Sequence, residues 1–162
     1  MGPDFLAMLE VLVRHEVDFV IVGALSAVLQ GAPVMTFDLD IVHGRDEENL
    51  NRLIAALNEL DAHFRGHPQK LSPRRDHLRT ADHQLLITRH GPLDVFGAIE
   101  DGLSYEDLVD EARTMRVDDL HFKVLELQSY IELKERSSLE KDRARLPVLR
   151  ETLSQLRRDD ED

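Results

Sequence analysis

Two carboxylates one residue apart, Asp38 and Asp40, lie inside the run Thr36-Phe37-Asp38-Leu39-Asp40-Ile41-Val42. The run reads as a β-strand, in which side chains two apart leave the same face about 6–7 Å from one another. Like charges on one face of a half-buried strand repel and lose hydration, a cost tolerated when a cation or strong hydrogen-bond donors neutralise them. The cation that suits such a pair is Mg²⁺, whose hard oxygen ligands are one or two protein carboxylates plus substrate phosphates. A third acid, Asp94, lies in the short apolar run Leu93-Asp94-Val95-Phe96. Ahead of the acids, Gly23-Ala24-Leu25-Ser26 follows the β-rich run Phe19-Val20-Ile21-Val22. A glycine between a strand and a helix lets backbone N–H groups approach an anion, which the helix dipole also favours.

The elements that must position these groups follow from periodicity and breakers. Phe5, Leu6, Leu9, Leu12 and Val13 recur at helical spacing after Pro3 and predict an amphipathic helix ending near Glu16. A strand over 19–22 comes next, and residues 25–30 fit a short helix closed by Gly31, with Pro33 barring its continuation before the acidic strand over 36–42. Asp46 is the expected N-cap of a helix over about 47–60, with Glu47 and Glu48 in its first turn and Leu50, Leu53, Ile54 and Leu57 on one face. Over 62–80 the periodicity fails, and Gly66, Pro68 and Pro73 punctuate a polar loop that carries Arg65, Lys70, Arg74, Arg75 and Arg79. Strands over 83–88 and 93–96 flank the hairpin connection Arg89-His90-Gly91-Pro92. Ser104 and Asp107 form a capping box that opens a helix through about Ala112, and 114–117 pairs with 120–125 across Asp118-Asp119. From Glu126 the chain reads as two helical segments broken either around Ser137-Ser138 or at Pro147, ending in an acidic tail over 159–162. The expected architecture is one α/β (α+β) domain over 1–158. It has a small mixed, partly antiparallel sheet with the acidic strand central, and the C-terminal helices pack against it.

Composition removes several classes of function. Twenty basic against 32 acidic residues leave a net charge of −12, which disfavours non-specific binding to DNA or RNA. Aromatic residues are 5% of the chain with no Trp, so a base-stacking platform is not expected. The absence of cysteine removes disulfides, zinc–thiolate sites and thiol nucleophiles. No apolar run approaches the ~18–20 residues of a membrane span and no basic segment precedes an apolar one at the start, so no membrane partner and a cytoplasmic location are the expectation. The eight histidines show no His-x-His or His-Glu-x-x-His spacing, which argues against zinc. His43, at the end of the acidic strand, is the histidine expected near the acids.

Taken together, Gly23-Ala24, Thr36-Phe37-Asp38-Leu39-Asp40 and Leu93-Asp94-Val95 resemble the DNA polymerase β-type nucleotidyltransferase superfamily. Its motif is a helix-opening Gly-Gly or Gly-Ser, two acids one residue apart, and a third acid on a neighbouring strand. The likeness extends over most of the chain. Tyr105-Glu106-Asp107-Leu108, Val124-Leu125-Glu126-Leu127 and Leu133-Lys134 with Lys141-Asp142 are similar to the bacterial abortive-infection toxin branch and related small single-domain proteins. The resemblance implies a nucleotidyltransferase fold and transfer of a nucleoside monophosphate from a nucleoside triphosphate to a nucleic-acid (tRNA-like) or protein hydroxyl. It further implies Mg²⁺ or Mn²⁺ held by Asp38, Asp40 and Asp94, and phosphate contacts from Gly23, Ala24, Ser26, Lys134 and Lys141. A toxin role, with a cognate antitoxin as partner, follows from the same branch. Two metal ions about 3.5–4 Å apart would clamp the attacking and leaving oxygens, with Asp94 completing the site or acting as general base.

The chain departs from that pattern at three places, and the one that bears most on activity is Ser137-Ser138-Leu139-Glu140 before Lys141-Asp142, where the related branch commonly has a basic residue. Ala24 stands where the family has its second small residue, and Val34 stands where many relatives have an arginine. A phosphate-binding cation must then come from Lys134, Arg136, Lys141 or the Arg74-Arg75 pair. The basic loop has two readings, a surface for acceptor RNA or triphosphate and a solvated loop balancing an acidic surface. The alternative for the whole chain is a catalytically degenerate module that binds nucleotide or a protein partner.

Overall fold

Asp4 accepts a hydrogen bond from the Ala7 backbone N–H and so caps α1 (Phe5–Arg14), whose buried Met8, Leu9, Val11 and Leu12 form one stripe. In this computed structural model, which describes residues 2–161, the helix stops two residues short of the expected Glu16. Glu16 itself has φ +57°, a left-handed conformation that ends a helix. Four consecutive buried β-formers make β1 (Phe19–Val22), after which Gly23 opens α2 (Gly23–Leu29). Asp46 caps α3 (Glu47–Glu59) by accepting from the Asn49 N–H at 2.9 Å, as its type predicts.

The acidic strand is shorter than expected. β2 spans Leu39–His43, so Asp38 stands one residue before it instead of inside it. The Thr36 hydroxyl donates to the Asp38 carbonyl at 3.2 Å, a local bond that competes with the ladder, and strand pairing of β2 begins only at Leu39. The basic loop is also partly ordered, with β3 (His63–Phe64) at the sheet edge and a single turn of helix, α4 (Arg75–Leu78). β4 (His83–Thr88) and β5 (Gly91–Phe96) form the expected hairpin, Thr88 opposite Gly91.

The capping box at Ser104 opens only the four-residue α5 (Tyr105–Leu108), followed by a 3₁₀ turn. Ala112, expected as the last helical residue, is instead the first residue of β6 (Ala112–Val117), paired with β7 (Leu120–Leu125) across a turn in which Asp118 has φ +54°. Of the two C-terminal breaks, the first occurs: α6 (Leu127–Glu135) and α7 (Glu140–Glu161) are separated around Ser137-Ser138. Pro147 lies within α7 at an exposed position and does not end the helix. The acidic residues expected as a tail continue α7 to Glu161, and Asp162 is outside the described residues.

The strand order is β3-β4-β5-β2-β1-β7-β6, which puts the acidic strand in the middle of seven. β2 runs parallel to β5 and antiparallel to β1, and β1 runs parallel to β7. Alternation divides the core. Ile21, Leu39, Ile41, Leu93, Val95 and Val124 face α1 and α3, while Val20, Val22, Val42 and Leu125 face α6 and α7. Asp40 belongs by parity to the second face, beside Val42. Among the described residues no helix is long and apolar enough to cross a membrane.

Candidate active site

Register assembles the acids. Val22 pairs with Asp40 and Asp40 with Asp94, which form one row across three neighbouring strands and so point to one face. Asp38 joins them from the segment just ahead of β2, and one ligand atom from each of Asp38, Asp40 and Asp94 lies within 4.8 Å of the others. Asp94 is 6% exposed and Asp40 and Asp38 are half-buried. Burial pushes the Asp40 carboxyl up to about 7, and the charges of Asp94 and Asp38 add to the effect. Burial also raises Asp94, against the opposing pull of the Arg65 guanidinium. Asp40 Oδ1 is buried without a hydrogen-bond partner, whereas Asp94 Oδ1, though in no aligned hydrogen bond, has the Arg65 guanidinium 2.9 Å away. Buried carboxylate oxygens left without donors are costly, and a hard cation is the group that compensates them.

Gly23 is tied to this row. Its φ is +68°, and a Cβ at this position would fall onto the Asp40 carboxylate oxygen Oδ2. Only glycine satisfies both the left-handed turn and the close approach of backbone to carboxylate. Ala24 is half-buried in the first turn of α2. Ser26 is fully buried, and its hydroxyl donates to the Gly23 carbonyl at 2.6 Å, so it braces the turn from within.

Comparison with known proteins agrees with this geometry. No family profile matches the chain, and no curated protein matches it by sequence. Among solved structures, the lincosamide antibiotic adenylyltransferase LnuA, bound to lincomycin, is similar over 90% of this chain and 93% of its own, with TM-score 0.58 and 15% identity. A nucleotidyltransferase candidate from Thermotoga maritima is similar over 92% of this chain and 89% of its own, with TM-score 0.50 and 24% identity. This chain has a nucleotidyltransferase fold. At such identities the likeness establishes architecture, and chemistry must be argued from the site.

In this nucleotidyltransferase fold a cleft of about 300 Å³ opens beside Asp40 and Gly23, walled by Val22, Phe96, Ile99, Leu125, Tyr130 and Leu133. Its polar rim is His83, Glu100 and Lys134. Lys134 sits 5.3 Å over the Tyr130 ring and 3.8 Å from Asp142, whose second oxygen accepts from the Ser137 hydroxyl at 2.7 Å. Lys141 is exposed and does not line the cleft, and Arg136 pairs with Asp101 at 3.3 Å. Arg74 is exposed, and Arg75 is bonded to Asn51 on α3. Arg79 meets Glu47 at 3.0 Å and Asp76 at 2.6 Å, so much of the basic loop is engaged in surface ion pairs.

His43 is not near the acids. Odd positions of β2 face α1 and α3, so His43 is buried on the side opposite Asp40, its Nδ1 3.1 Å from the Gly44 carbonyl. Burial lowers its pKa and favours the neutral ring. Sequence reasoning missed two features. The cleft walls come from four separate elements, and Arg65, placed by sequence in a loop, reaches Asp94 with Nη1 2.9 Å from Oδ1.

Proposed function

We propose that this chain is a divalent-metal-dependent nucleotidyltransferase that moves a nucleoside monophosphate from a nucleoside triphosphate to a hydroxyl. The observation that carries the reading is the meeting of Asp38, Asp40 and Asp94 within 4.8 Å, with Asp40 Oδ1 buried and unpartnered. The donor set is carboxylate oxygen alone, which fits Mg²⁺ or Mn²⁺. Held by these three residues, the ion supplies charge neutralisation for the triphosphate and lowers the pKa of the acceptor hydroxyl. Gly23 lets the backbone of the turn come close to the phosphates, and Lys134 at the cleft rim adds a positive charge that Ala24 and Val34 do not. Ser26 acts through the turn it braces, and the exposed Lys141 is available to substrate parts outside the cleft. The acceptor oxygen forms a bond to the α-phosphorus as the bond to the α–β bridging oxygen breaks. Pyrophosphate leaves with that electron pair, and Asp94 receives the hydroxyl proton.

Resemblance to the abortive-infection branch supports a tRNA-like RNA or a protein as acceptor, and a cytoplasmic toxin restrained by an antitoxin. A small-molecule hydroxyl is a second reading. A 300 Å³ cleft with mostly apolar walls suits a small ligand, and LnuA is by its name an adenylyltransferase of a lincosamide antibiotic. A purely non-catalytic module is disfavoured by the retention of all three acids. Labelled ATP, GTP, CTP and UTP, incubated with Mg²⁺ and with separate RNA, protein and small-molecule fractions, identify the acceptor by transfer of label. Asp38→Ala is expected to lower transfer by at least ~10³-fold. Undiminished transfer in that variant would contradict the site.

A further inference from the structure

The residue that sequence reasoning left in a loop has a defined place in the row of acids. β3 pairs antiparallel with β4, Phe64 opposite Leu86, and the Arg65 N–H donates to the Leu85 carbonyl at 2.9 Å, which carries that pairing one residue further. Leu85 is in turn opposite Asp94. The row therefore reads Val22, Asp40, Asp94, Leu85, Arg65 across five strands or their ends, all on one face.

From the end of this row Arg65 reaches back. Its Nη1 donates to the Leu86 carbonyl at 2.7 Å and lies 2.9 Å from Asp94 Oδ1. The approach to Oδ1 is a charge contact outside the alignment of a regular hydrogen bond. When all three carboxylates are ionised, as they must be to hold a divalent ion, the guanidinium in contact with Asp94 already offsets one of their negative charges.

We propose that Arg65 is a positioning residue that stands in for a cation at Asp94 in the nucleotide-free protein and competes with a divalent ion for that carboxylate. The inference rests on the reading of the three acids as a metal site. Held by the Leu86 carbonyl and by the β3 pairing, the guanidinium keeps Asp94 in place beside Asp40 when no ion is bound. Binding of the ion then requires Asp94 to be shared with, or released by, Arg65. A residue with a merely structural role would act in the opposite direction, since its loss would loosen the site and weaken the ion.

The test is a titration of the intact chain with Mn²⁺ in the absence of nucleotide, read by the electron paramagnetic resonance signal of the free ion. Arg65→Met is expected to bind Mn²⁺ about tenfold or more tightly than wild type, because a positive charge next to the ion is gone. Arg65→Gln, which keeps a donor for the Leu86 carbonyl, is expected to show the same tightening, and Arg65→Lys to stay near wild type. Mn²⁺ should raise the melting temperature of Arg65→Met more than that of wild type. If Arg65→Gln and Arg65→Met bind Mn²⁺ no tighter than wild type, the proposal is overturned while the metal site stands. If neither wild type nor these variants bind Mn²⁺, the metal site and the proposal fall together.

Discussion

The two faces of β2 put opposite demands on neighbouring residues of one strand. Leu39 and Ile41 are fully buried against the α1 and α3 side, where the surrounding core is apolar. Asp40, between them in sequence, faces the α6 and α7 side next to Asp94 and the cleft. The first face lowers the free energy of the fold. The second raises it by holding carboxylates out of water, in an arrangement that pushes Asp40 up to about 7. Exposed acids elsewhere in the chain do the reverse: Glu59, bonded to Arg14 and His15, is pulled down to about 2. Glu59 thus has two basic partners, whereas Asp38, Asp40 and Asp94 crowd together with the single guanidinium of Arg65 against Asp94.

Substitutions on the two faces should separate these demands. The largest stability effect is expected from Ile41→Ala, which leaves a cavity in the closed face and should cost about 2–5 kcal/mol by denaturant unfolding. A cost below about 1 kcal/mol would mean that this face is not the packed one. Gly23→Ala places a Cβ in a left-handed conformation and against Asp40 Oδ2. It should lower stability by about 1–3 kcal/mol and displace the carboxylate, with loss of transfer activity as well. Retained activity at full stability would show that the contact between turn and carboxylate is dispensable.

A third effect is graded with pH. Because the folded-state pKa of Asp40 lies above its unfolded value, the folded chain holds a proton that the unfolded chain releases between about pH 4 and 7. Stability from this group is therefore present below pH 4 and is lost as pH rises towards 7, with a slope of at most about 1.4 kcal/mol per pH unit. Metal-free wild type should lose stability across that window relative to Asp40→Asn, as followed by melting temperature at several pH values. Parallel profiles for the two proteins would remove the case for a strained carboxylate.

How far the sequence reaches also differs between the faces. Strand bounds such as Phe19–Val22, His83–Thr88 and Leu120–Leu125 are legible because short apolar runs there are set between polar or glycine-containing segments, and the Asp46 cap is legible from its side-chain chemistry. The acids and Gly23 stand out because each is anomalous where it lies. His43 was legible in principle, since strand parity alone puts it opposite Asp40. Asp38 was misplaced because the Thr36 hydroxyl and the late start of pairing shorten β2, a competition that residue type does not decide. The Arg65–Asp94 contact is beyond local reading. It depends on a two-residue edge strand and on the registers of two pairings, which bring together residues far apart in sequence. The cleft is likewise assembled from residues of separate strands and α6, and no single segment announces it.

The central claim is that Asp38, Asp40 and Asp94 form a divalent-cation site for a nucleoside triphosphate. Its most direct test is calorimetric titration of each of the four triphosphates into wild type and Asp40→Asn at pH 8, with Mg²⁺ or with EDTA. The account predicts that at least one triphosphate binds wild type with Mg²⁺, and that EDTA or Asp40→Asn abolishes the binding. Equal binding in all conditions, or none to wild type with Mg²⁺, would contradict it.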